Sequence, residues 1–84
     1  MKKVTFFHSV ICPRCMMAKL AINGLAAEFP NVEIERVEFL TNRSLAKESG
    51  VTLIPALVCG EKRLSGFYLT KNRIRRFFES VARS

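Results

Sequence analysis

Two cysteines separated by two residues, in Cys12-Pro13-Arg14-Cys15, form the stretch of this sequence best suited to chemistry. They lie between an apolar run that is typical of a strand and a run that is typical of a helix. Pro13 suits the first position of a helix, where a backbone N–H would have no partner. Cys12 would then lie at or just before the helix start, where free N–H groups and the helix dipole favour an anion such as a thiolate. Arg14 adds a positive charge within the same turn, and both effects lower the pKa of a thiol.

Cys15 lies one helical turn deeper and is the expected resolving thiol, so the pair could make and break a disulfide. Three cysteines do not form a disulfide framework, which needs an even number at dispersed positions. The third, Cys59, stands alone in an apolar run, where burial as a small hydrophobic residue is the favoured interpretation. The sequence therefore predicts reactive chemistry for the pair and a packing role for Cys59.

The composition indicates one folded unit. The 84 residues allow a single small core, and we assign residues 1–84 to one domain. Apolar residues make up 49% of the chain and charged residues 25%, a balance that excludes a disordered chain. No apolar run reaches the roughly 18 residues that span a bilayer. The net charge of +7 permits an acidic partner or weak nucleic-acid binding but requires neither.

The apolar periodicity predicts the elements around the cysteine pair. Lys3 to His8 is apolar on both faces, which is typical of a strand inside a sheet covered by helices. From Pro13 to Phe29 the pattern is helical, and Pro30-Asn31 ends it. Gly24 weakens this helix and would permit another element to approach closely. The predicted core-facing stripe comprises Ala18, Ile22, Leu25 and Phe29, broadened by Met17, Leu20 and Ala21.

A second strand is predicted from Val32 to Phe39. Its apolar alternation changes phase at Arg36, which indicates a bulge or a later strand start. A short helix follows, with Thr41 or Asn42 as its cap and Ser49-Gly50 at its end. A crossover of this length makes the first two strands parallel.

The last part of the chain predicts a hairpin and a helix. Pro55 cannot donate to a strand ladder, so we expect it at the first residue of the third strand. Gly60-Glu61 forms a turn, and Lys62-Arg63-Leu64 forms the short return strand. Thr70 is the expected N-cap of the last helix. The apolar stripe of that helix comprises Ile74, Phe77, Phe78 and Val81.

This order of elements resembles the minimal thioredoxin fold over the whole chain. The matching residues are the Cys12-to-Cys15 motif, Ala18-Lys19 behind it, Ile54-Pro55, and Gly66 before the closing helix. The resemblance implies an α/β, thioredoxin-like fold with a four-stranded mixed sheet and three helices, in the order β-α-β-α-β-β-α. It also implies that Cys12 is the nucleophile and Cys15 the resolving thiol of the site.

The resemblance further implies how substrate would be held. Pro55 would be the cis-proline opposite the cysteine motif, where it keeps a backbone N–H away from that face. The main chain of Ile54 would pair with an extended substrate, as in strand addition. The residues that we expect to bind substrate are Pro13, Arg14, Ile54 and Pro55.

Details within the superfamily point in two directions. Pro13 directly after the first cysteine, the short length and the spacing from Pro55 to Gly66 are similar to glutaredoxins. Ile54 before the proline is more similar to thioredoxins. The mixture resembles the small glutaredoxin-like thioredoxins of prokaryotes.

Three departures from these families affect the expected ligands and mechanism. Where glutaredoxins have a lysine ahead of the first cysteine, this chain has Ser9. Where they have a Gly-Gly pair and an Asp that hold glutathione, it has Ser65-Gly66 followed by Phe67-Tyr68. The buried acid of thioredoxins is replaced by Phe6. Glutathione binding is therefore in doubt, and the usual buried acid is missing.

The implied function is thiol–disulfide exchange that reduces the disulfides of protein substrates. We expect no bound cofactor or metal, with glutathione or a thioredoxin reductase as external reductant. We expect a monomer without a membrane partner. Met1 to Phe7 imitates a secretion signal, but His8 and Ser9 interrupt it and no cleavage site follows, so we expect a cytoplasmic protein.

Other functions remain open at this stage. Cys12, Cys15, Cys59 and His8 are numerous enough to form a tetrahedral zinc site. By resemblance to cluster-carrying glutaredoxins, Cys12 could share an iron–sulfur cluster across a dimer. A basic last helix, with Lys71, Arg73, Arg75 and Arg76, could contact nucleic-acid phosphates, although a solvated face is the favoured interpretation.

Several single residues also have two interpretations. Arg14 either tunes the thiolate and favours acidic substrates or is an exposed residue at a helix start. His8 is either a proton relay or metal ligand, or a structural residue at a strand end. Met16 and Met17 offer either an apolar surface for a partner or core packing. Phe67 and Tyr68 either shape the substrate groove or fill the core.

Overall fold

The predicted order of elements is confirmed by a computed structural model, which describes residues 2–66 and 69–83. No helix in these two ranges is long and apolar enough to cross a bilayer. The elements are β1 (Lys2–His8), α1 (Pro13–Ala26), β2 (Val32–Glu38), α2 (Arg43–Glu48), β3 (Ala56–Cys59), β4 (Lys62–Ser65) and α3 (Lys71–Arg83).

The four strands form one mixed sheet in the order β2-β1-β3-β4, as the resemblance predicted. β1 is parallel to β2, and β3 is antiparallel to both β1 and β4. β1 is therefore an interior strand with both faces covered. This explains why Val4 and Phe6 on one face and Phe7 on the other are all fully buried.

Two apolar cores lie on opposite faces of the sheet. Phe6 belongs to the larger core, which α1 and α3 cover, whereas Phe7 belongs to the smaller core on the face of α2. Neighbouring residues of a strand point to opposite faces, so β1 connects both cores. The smaller core comprises Phe7, Ala46, Val51 and Ala56.

The change of apolar phase in β2 does not come from a bulge or a late start, so both of those expectations were wrong. β2 begins at Val32, and its register with β1 is continuous to its end. Ile34 packs against the larger core, whereas Val37 and Phe39 pack against the smaller one. Apolar side chains from the first half of this segment therefore pack against the larger core, and those from its second half and the residue after it pack against the smaller core.

The helix α1 is shorter and more exposed than its sequence predicted. It ends at Ala26, and Phe29 lies beyond it, where its ring contacts that of Phe78 edge-on at a centroid distance of 5.6 Å. Met17 and Leu20 do not broaden the buried stripe, because both are mostly exposed. The buried residues of α1 are Cys15, Ala18, Ile22 and Leu25.

The end of α2 explains the glycine that follows it. Gly50 has φ +76°, and its N–H donates to the carbonyl of Lys47 at 3.1 Å. The N–H of Val51 donates to the carbonyl of Ala46 at 2.8 Å. These two bonds form a Schellman motif, in which the left-handed residue is usually glycine. At the other end, Asn42 is the N-cap residue but makes no side-chain cap bond.

The predicted hairpin and last helix are confirmed. Gly60-Glu61 connects β3 to β4, and Pro55 directly precedes β3. The hydroxyl of Thr70 accepts the N–H of Arg73 at 3.2 Å, which is an N-cap bond. The buried residues of α3 are Ile74, Phe77, Phe78 and Val81, as predicted.

Two glycines provide a matched test of the fold. Replacing Gly50 by alanine would place a Cβ 2.7 Å from Nη1 of Arg63 at a positive φ, so we expect a loss of about 1–2 kcal/mol in unfolding free energy. Replacing Gly24 would place a Cβ 3.5 Å from the flexible end of Lys71, an ordinary contact rather than the close approach expected. Gly24→Ala should stabilise by up to about 1 kcal/mol. Urea unfolding of both variants measures these changes, and effects of the same sign would contradict the account.

Candidate active site

The turn before α1 delivers Cys12 to the start of the helix. The carbonyl of Ser9 accepts the N–H of Cys12 at 3.2 Å, and the hydroxyl of Ser9 accepts the N–H of Ile11 at 3.4 Å. Ser9 is only 3% exposed, so these bonds satisfy a polar residue inside the protein. The position at which glutaredoxins have a lysine therefore serves here to close a turn.

Cys12 is the N-cap of α1. Its backbone is extended (φ −103°, ψ 109°), and its Sγ accepts the N–H of Cys15 at 3.3 Å. Pro13 is the first helical residue, as the sequence predicted. The sulfur thus takes the place of the oxygen that a Ser or Asp cap would offer to the free N–H groups of the first turn.

The electrostatic balance at Cys12 favours its thiolate. Burial by itself would raise the pKa of this thiol, since desolvation disfavours the charged form. Hydrogen bonds from the side chain and backbone of Cys15, and then the guanidinium of Arg14, act in the opposite direction. The donors outweigh burial, and the pKa of Cys12 is lowered.

Cys15 has the opposite character. Its pKa is raised to about 12, first because it is buried and then because it donates its hydrogen bond to the negative sulfur of Cys12. A hydrogen bond from the backbone of Ser9 opposes this shift without cancelling it. The pKa values of two sulfurs one turn apart are therefore shifted in opposite directions, that of Cys12 downward and that of Cys15 upward.

Arg14 acts on the site rather than being only an exposed residue at a helix start. Its side chain is half-buried, and both its hydrogen bonding and its charge lower the pKa of Cys12. Pro13, beside it, is exposed. The structure therefore supports the effect of Arg14 on the Cys12 thiol, whereas its preference for acidic substrates stays a prediction.

Ile54 and Pro55 lie at the same end of the sheet as the cysteine motif. The peptide bond between them is cis, as the resemblance implied. Ala56, the first residue of β3, pairs with Phe7, the last residue but one of β1, so Pro55 enters the sheet where β1 leaves it. Pro55 is fully buried and Ile54 is half-buried against the smaller core. Their contact with substrate stays a prediction.

Exposed apolar side chains surround the motif. Five of them are between 61% and 78% exposed, although residues of this type are usually buried. Met16 and Met17 are among them, so they do not pack in the core. The five residues, which we call the apolar rim, are Val10, Ile11, Met16, Met17 and Leu20.

Glu38, at the end of β2, was not identified from the sequence. Its carboxylate accepts the N–H of Val10 at 3.2 Å through Oε2 and the N–H of Leu40 at 3.2 Å through Oε1. It thereby ties the turn before the cysteines to the loop after β2. The sequence signal was weak, because Glu38 is one of several acidic residues in this strand.

The candidate zinc ligands do not come together. Cys59 ends β3, which runs antiparallel to β1, so it lies near the start of β1 while His8 and the cysteine pair lie at its far end. Four residues of strand separate those positions, roughly 13 Å. Within residues 2–66 and 69–83, no three His, Cys, Asp or Glu side chains are grouped to hold a metal ion.

A comparison with known proteins decides the family. No protein-family model matches this chain. A thioredoxin from Methanocaldococcus jannaschii is 35% identical to it over 57 residues, which cover 67% of each protein. The chain belongs to the thioredoxin family. This confirms the superfamily inferred from the motifs, whose members are thiol–disulfide oxidoreductases in general.

Solved thioredoxin structures share the fold. Mitochondrial thioredoxin 3 from Saccharomyces cerevisiae superimposes with a TM-score of 0.81 at 21% identity, covering 94% of this chain and 77% of that one. Thioredoxin from Fasciola hepatica gives a TM-score of 0.80 at 25% identity, and the match covers 94% of this chain and 79% of the Fasciola protein. The thioredoxin-like order of strands and helices is thus confirmed. Phe67 and Tyr68, for which a role was considered from the sequence, lie outside the described residues.

Substitution of Arg14 tests the electrostatics of the motif. In Arg14→Gln the positive charge is lost, so the pKa of Cys12 should rise and its alkylation by iodoacetamide at neutral pH should slow several-fold. Arg14→Lys is the control, because it keeps one positive charge in the same turn and should retain most of the rate. Peptide mass spectrometry assigns the alkylated cysteine, and equal rates in all three proteins would contradict a role for Arg14.

Proposed function

We propose that this member of the thioredoxin family reduces disulfide bonds in protein substrates by dithiol exchange. The observation that supports this most is the N-cap position of the Cys12 sulfur, which accepts the N–H of Cys15 at 3.3 Å. A sulfur held there is favoured as a thiolate, and the thiolate is the nucleophile of disulfide exchange. Cys15, at 2% exposed, is shielded from competing reactions until it is needed.

In the first step, the Cys12 thiolate attacks one sulfur of the substrate disulfide. A Cys12–substrate disulfide forms, the substrate's own S–S bond breaks, and the electron pair leaves with the second substrate sulfur as a thiolate. Cys12, at 8% exposed, is the more accessible cysteine of the pair, since Cys15 is 2% exposed.

In the second step, Cys15 loses its proton and attacks the sulfur of Cys12. The bond to the substrate breaks, the substrate leaves as a second thiolate, and the protein retains a Cys12–Cys15 disulfide. The substrate has gained two electrons and the protein has lost two. The two sulfurs are already within one helical turn, so this step is intramolecular and fast relative to a second encounter.

Substrate binding is proposed at the edge where the motif meets β3. The main chain of Ile54, before the cis bond to Pro55, would pair with an extended substrate segment. The apolar rim would contact apolar side chains around the substrate disulfide. Arg14 and the overall charge of +7 would favour acidic segments near it.

For the electron donor, we propose a thioredoxin-reductase type of protein rather than glutathione. Ser9 is uncharged and closes the turn before Cys12, so it cannot form the ion pair with a glutathione carboxylate that a lysine would form there. The reduction potential should lie between about −200 and −270 mV, the range from glutaredoxins to thioredoxin. Equilibration of the Cys12–Cys15 couple with glutathione and, separately, turnover with thioredoxin reductase test this choice. Efficient reduction by glutathione alone would overturn it.

The activity itself is tested with insulin. The protein, in the presence of dithiothreitol, should accelerate insulin reduction, because the lowered pKa of Cys12 makes more of its thiolate available than an ordinary thiol provides. Cys12→Ser should abolish this acceleration. Cys15→Ser, reduced and then freed of dithiothreitol before insulin is added, should instead accumulate a mixed disulfide with insulin, which non-reducing electrophoresis and mass spectrometry detect.

Cys59→Ser is the matched control, because Cys59 is a half-buried thiol at the other end of the sheet. It should retain the activity of the unmodified protein. Activity that persists in Cys12→Ser, or that is lost in Cys59→Ser, would contradict the proposed function.

A further inference from the structure

The second step of the proposed reaction needs a group that accepts the proton of Cys15. This sulfur is buried and its pKa is raised to about 12, so it is almost entirely protonated at neutral pH. Phe6, which points into the larger core, cannot accept a proton. The acceptor must therefore lie elsewhere around Cys15.

A pocket of about 210 Å³ lies beside Cys15. It has room for several water molecules, each of which occupies about 30 Å³ in the liquid. Because Cys15 lines this pocket together with polar residues, water in the pocket can relay a proton between them. The lining residues are His8, Ser9, Val10, Cys15, Met16 and Lys19.

His8 is the group in this wall best suited to accept a proton. Lys19 offers a cation, Ser9 a hydroxyl that is already bonded within the turn, and the remaining neighbours are apolar or the thiol itself. The imidazole of His8 is half-buried and stacks on the ring of Phe6 at a centroid distance of 5.2 Å and an interplanar angle of 20°. This stacking holds the ring on the face of the sheet that α1 covers.

We propose that His8 accepts the proton of Cys15, relayed by water in this pocket, when Cys15 resolves the mixed disulfide. The inference rests on the proposed function, since it concerns the second step of that reaction. His8 does not contact the sulfur of Cys15. It acts on that sulfur through water in the pocket, which carries the proton between the two side chains. An imidazole is suited to this because it exchanges a proton readily near neutral pH.

The atoms and electrons of the step balance as follows. The proton moves from Cys15 Sγ through water to the imidazole, while the electron pair of Cys15 forms the bond to Cys12 Sγ. The bond between Cys12 and the substrate sulfur breaks, and its electron pair leaves with the substrate. The imidazolium then returns its proton to the substrate thiolate or to solvent. The two-electron oxidation of the cysteine pair equals the two-electron reduction of the substrate.

The charged groups around His8 are few. α1 contributes Lys19 and Cys15 to the same pocket. β2 contributes Glu38, the register partner of His8, whose carboxylate already accepts two backbone N–H groups. On β3 the residue that follows in register opposite His8 is the uncharged Pro55. The Ser9 hydroxyl already accepts the N–H of Ile11 in the turn. The imidazole of His8 is therefore the lining group better placed to accept the proton of Cys15.

Stopped-flow kinetics with a chromogenic aromatic disulfide (dithiobis-nitrobenzoate) separate the two steps. All proteins contain Cys59→Ser, so that only Cys12 and Cys15 react. The first release of chromophore, by attack of Cys12, depends on reagent concentration. The second release, by attack of Cys15 on the mixed disulfide, does not. Cys15→Ser identifies the second phase, because it should show the first phase alone.

The variants His8→Phe and His8→Gln test the proposal. His8→Phe keeps a ring that can stack on Phe6, and His8→Gln keeps a polar side chain, but neither accepts a proton near neutral pH. Both should retain the first phase, and the second phase should slow about a hundredfold at pH 7, the lower end of general-base effects. In the parent protein, which keeps His8, the second-phase rate should level off as the pH rises. In the variants it should continue to rise with pH.

The outcomes are distinguishable. If the unmodified protein shows no fast first phase, the proposed function fails. If that phase is normal but the second phase keeps its rate and pH profile in both variants, the role of His8 is overturned while the proposed function stands. If both variants lose both phases equally, His8 is structural, and its role as a proton acceptor is likewise overturned.

Discussion

The whole site depends on one constraint: a sulfur atom must be held at the N-terminus of α1 as the acceptor of the free N–H groups there. Cys12 meets this constraint through its N-cap conformation and its 3.3 Å bond from the N–H of Cys15. The helix then continues for 14 residues against the larger core, which fixes the direction of its axis and of its N–H groups. The packing of α1 is thus also what positions the donors that stabilise the thiolate.

Burial and hydrogen bonding compete at this sulfur, and their balance differs between the two cysteines. At Cys12 the donors from Cys15 and Arg14 exceed the effect of burial, whereas at Cys15 burial dominates and the neighbouring negative charge adds to it. The same hydrogen bond lowers one pKa and raises the other. Two thiols one turn apart therefore have pKa values shifted in opposite directions, and Arg14 adds to the lowering at Cys12.

The sequence predicted the elements whose pattern is local. The cap at Cys12, Pro13 at the helix start, the cap at Thr70 and the stripe of α3 depend on neighbours within a few residues, and the structure confirms each of them. The cis bond before Pro55 was inferred only through the resemblance, because most X–Pro bonds in folded proteins are trans.

The features that the sequence did not predict depend on distant packing. β2 changes its apolar phase because two cores lie on opposite faces of the sheet, and one strand alone cannot reveal which face is covered where. Met17 and Leu20 follow the helical period but lie on a side of α1 that none of the described elements buries. Glu38 bonds to backbone N–H groups from two separate loops, and such partners have no side-chain signature.

Site-resolved titration of the two thiols in the reduced protein tests the central claim most directly. Carbon-13 chemical shifts of the cysteine β-carbons, followed from acidic to strongly alkaline pH, report each sulfur separately. The account predicts that Cys12 loses its proton below the ordinary thiol range, while Cys15 stays protonated until the pH approaches about 12. Two sulfurs that titrate together in the ordinary range, near pH 8.5, would contradict it.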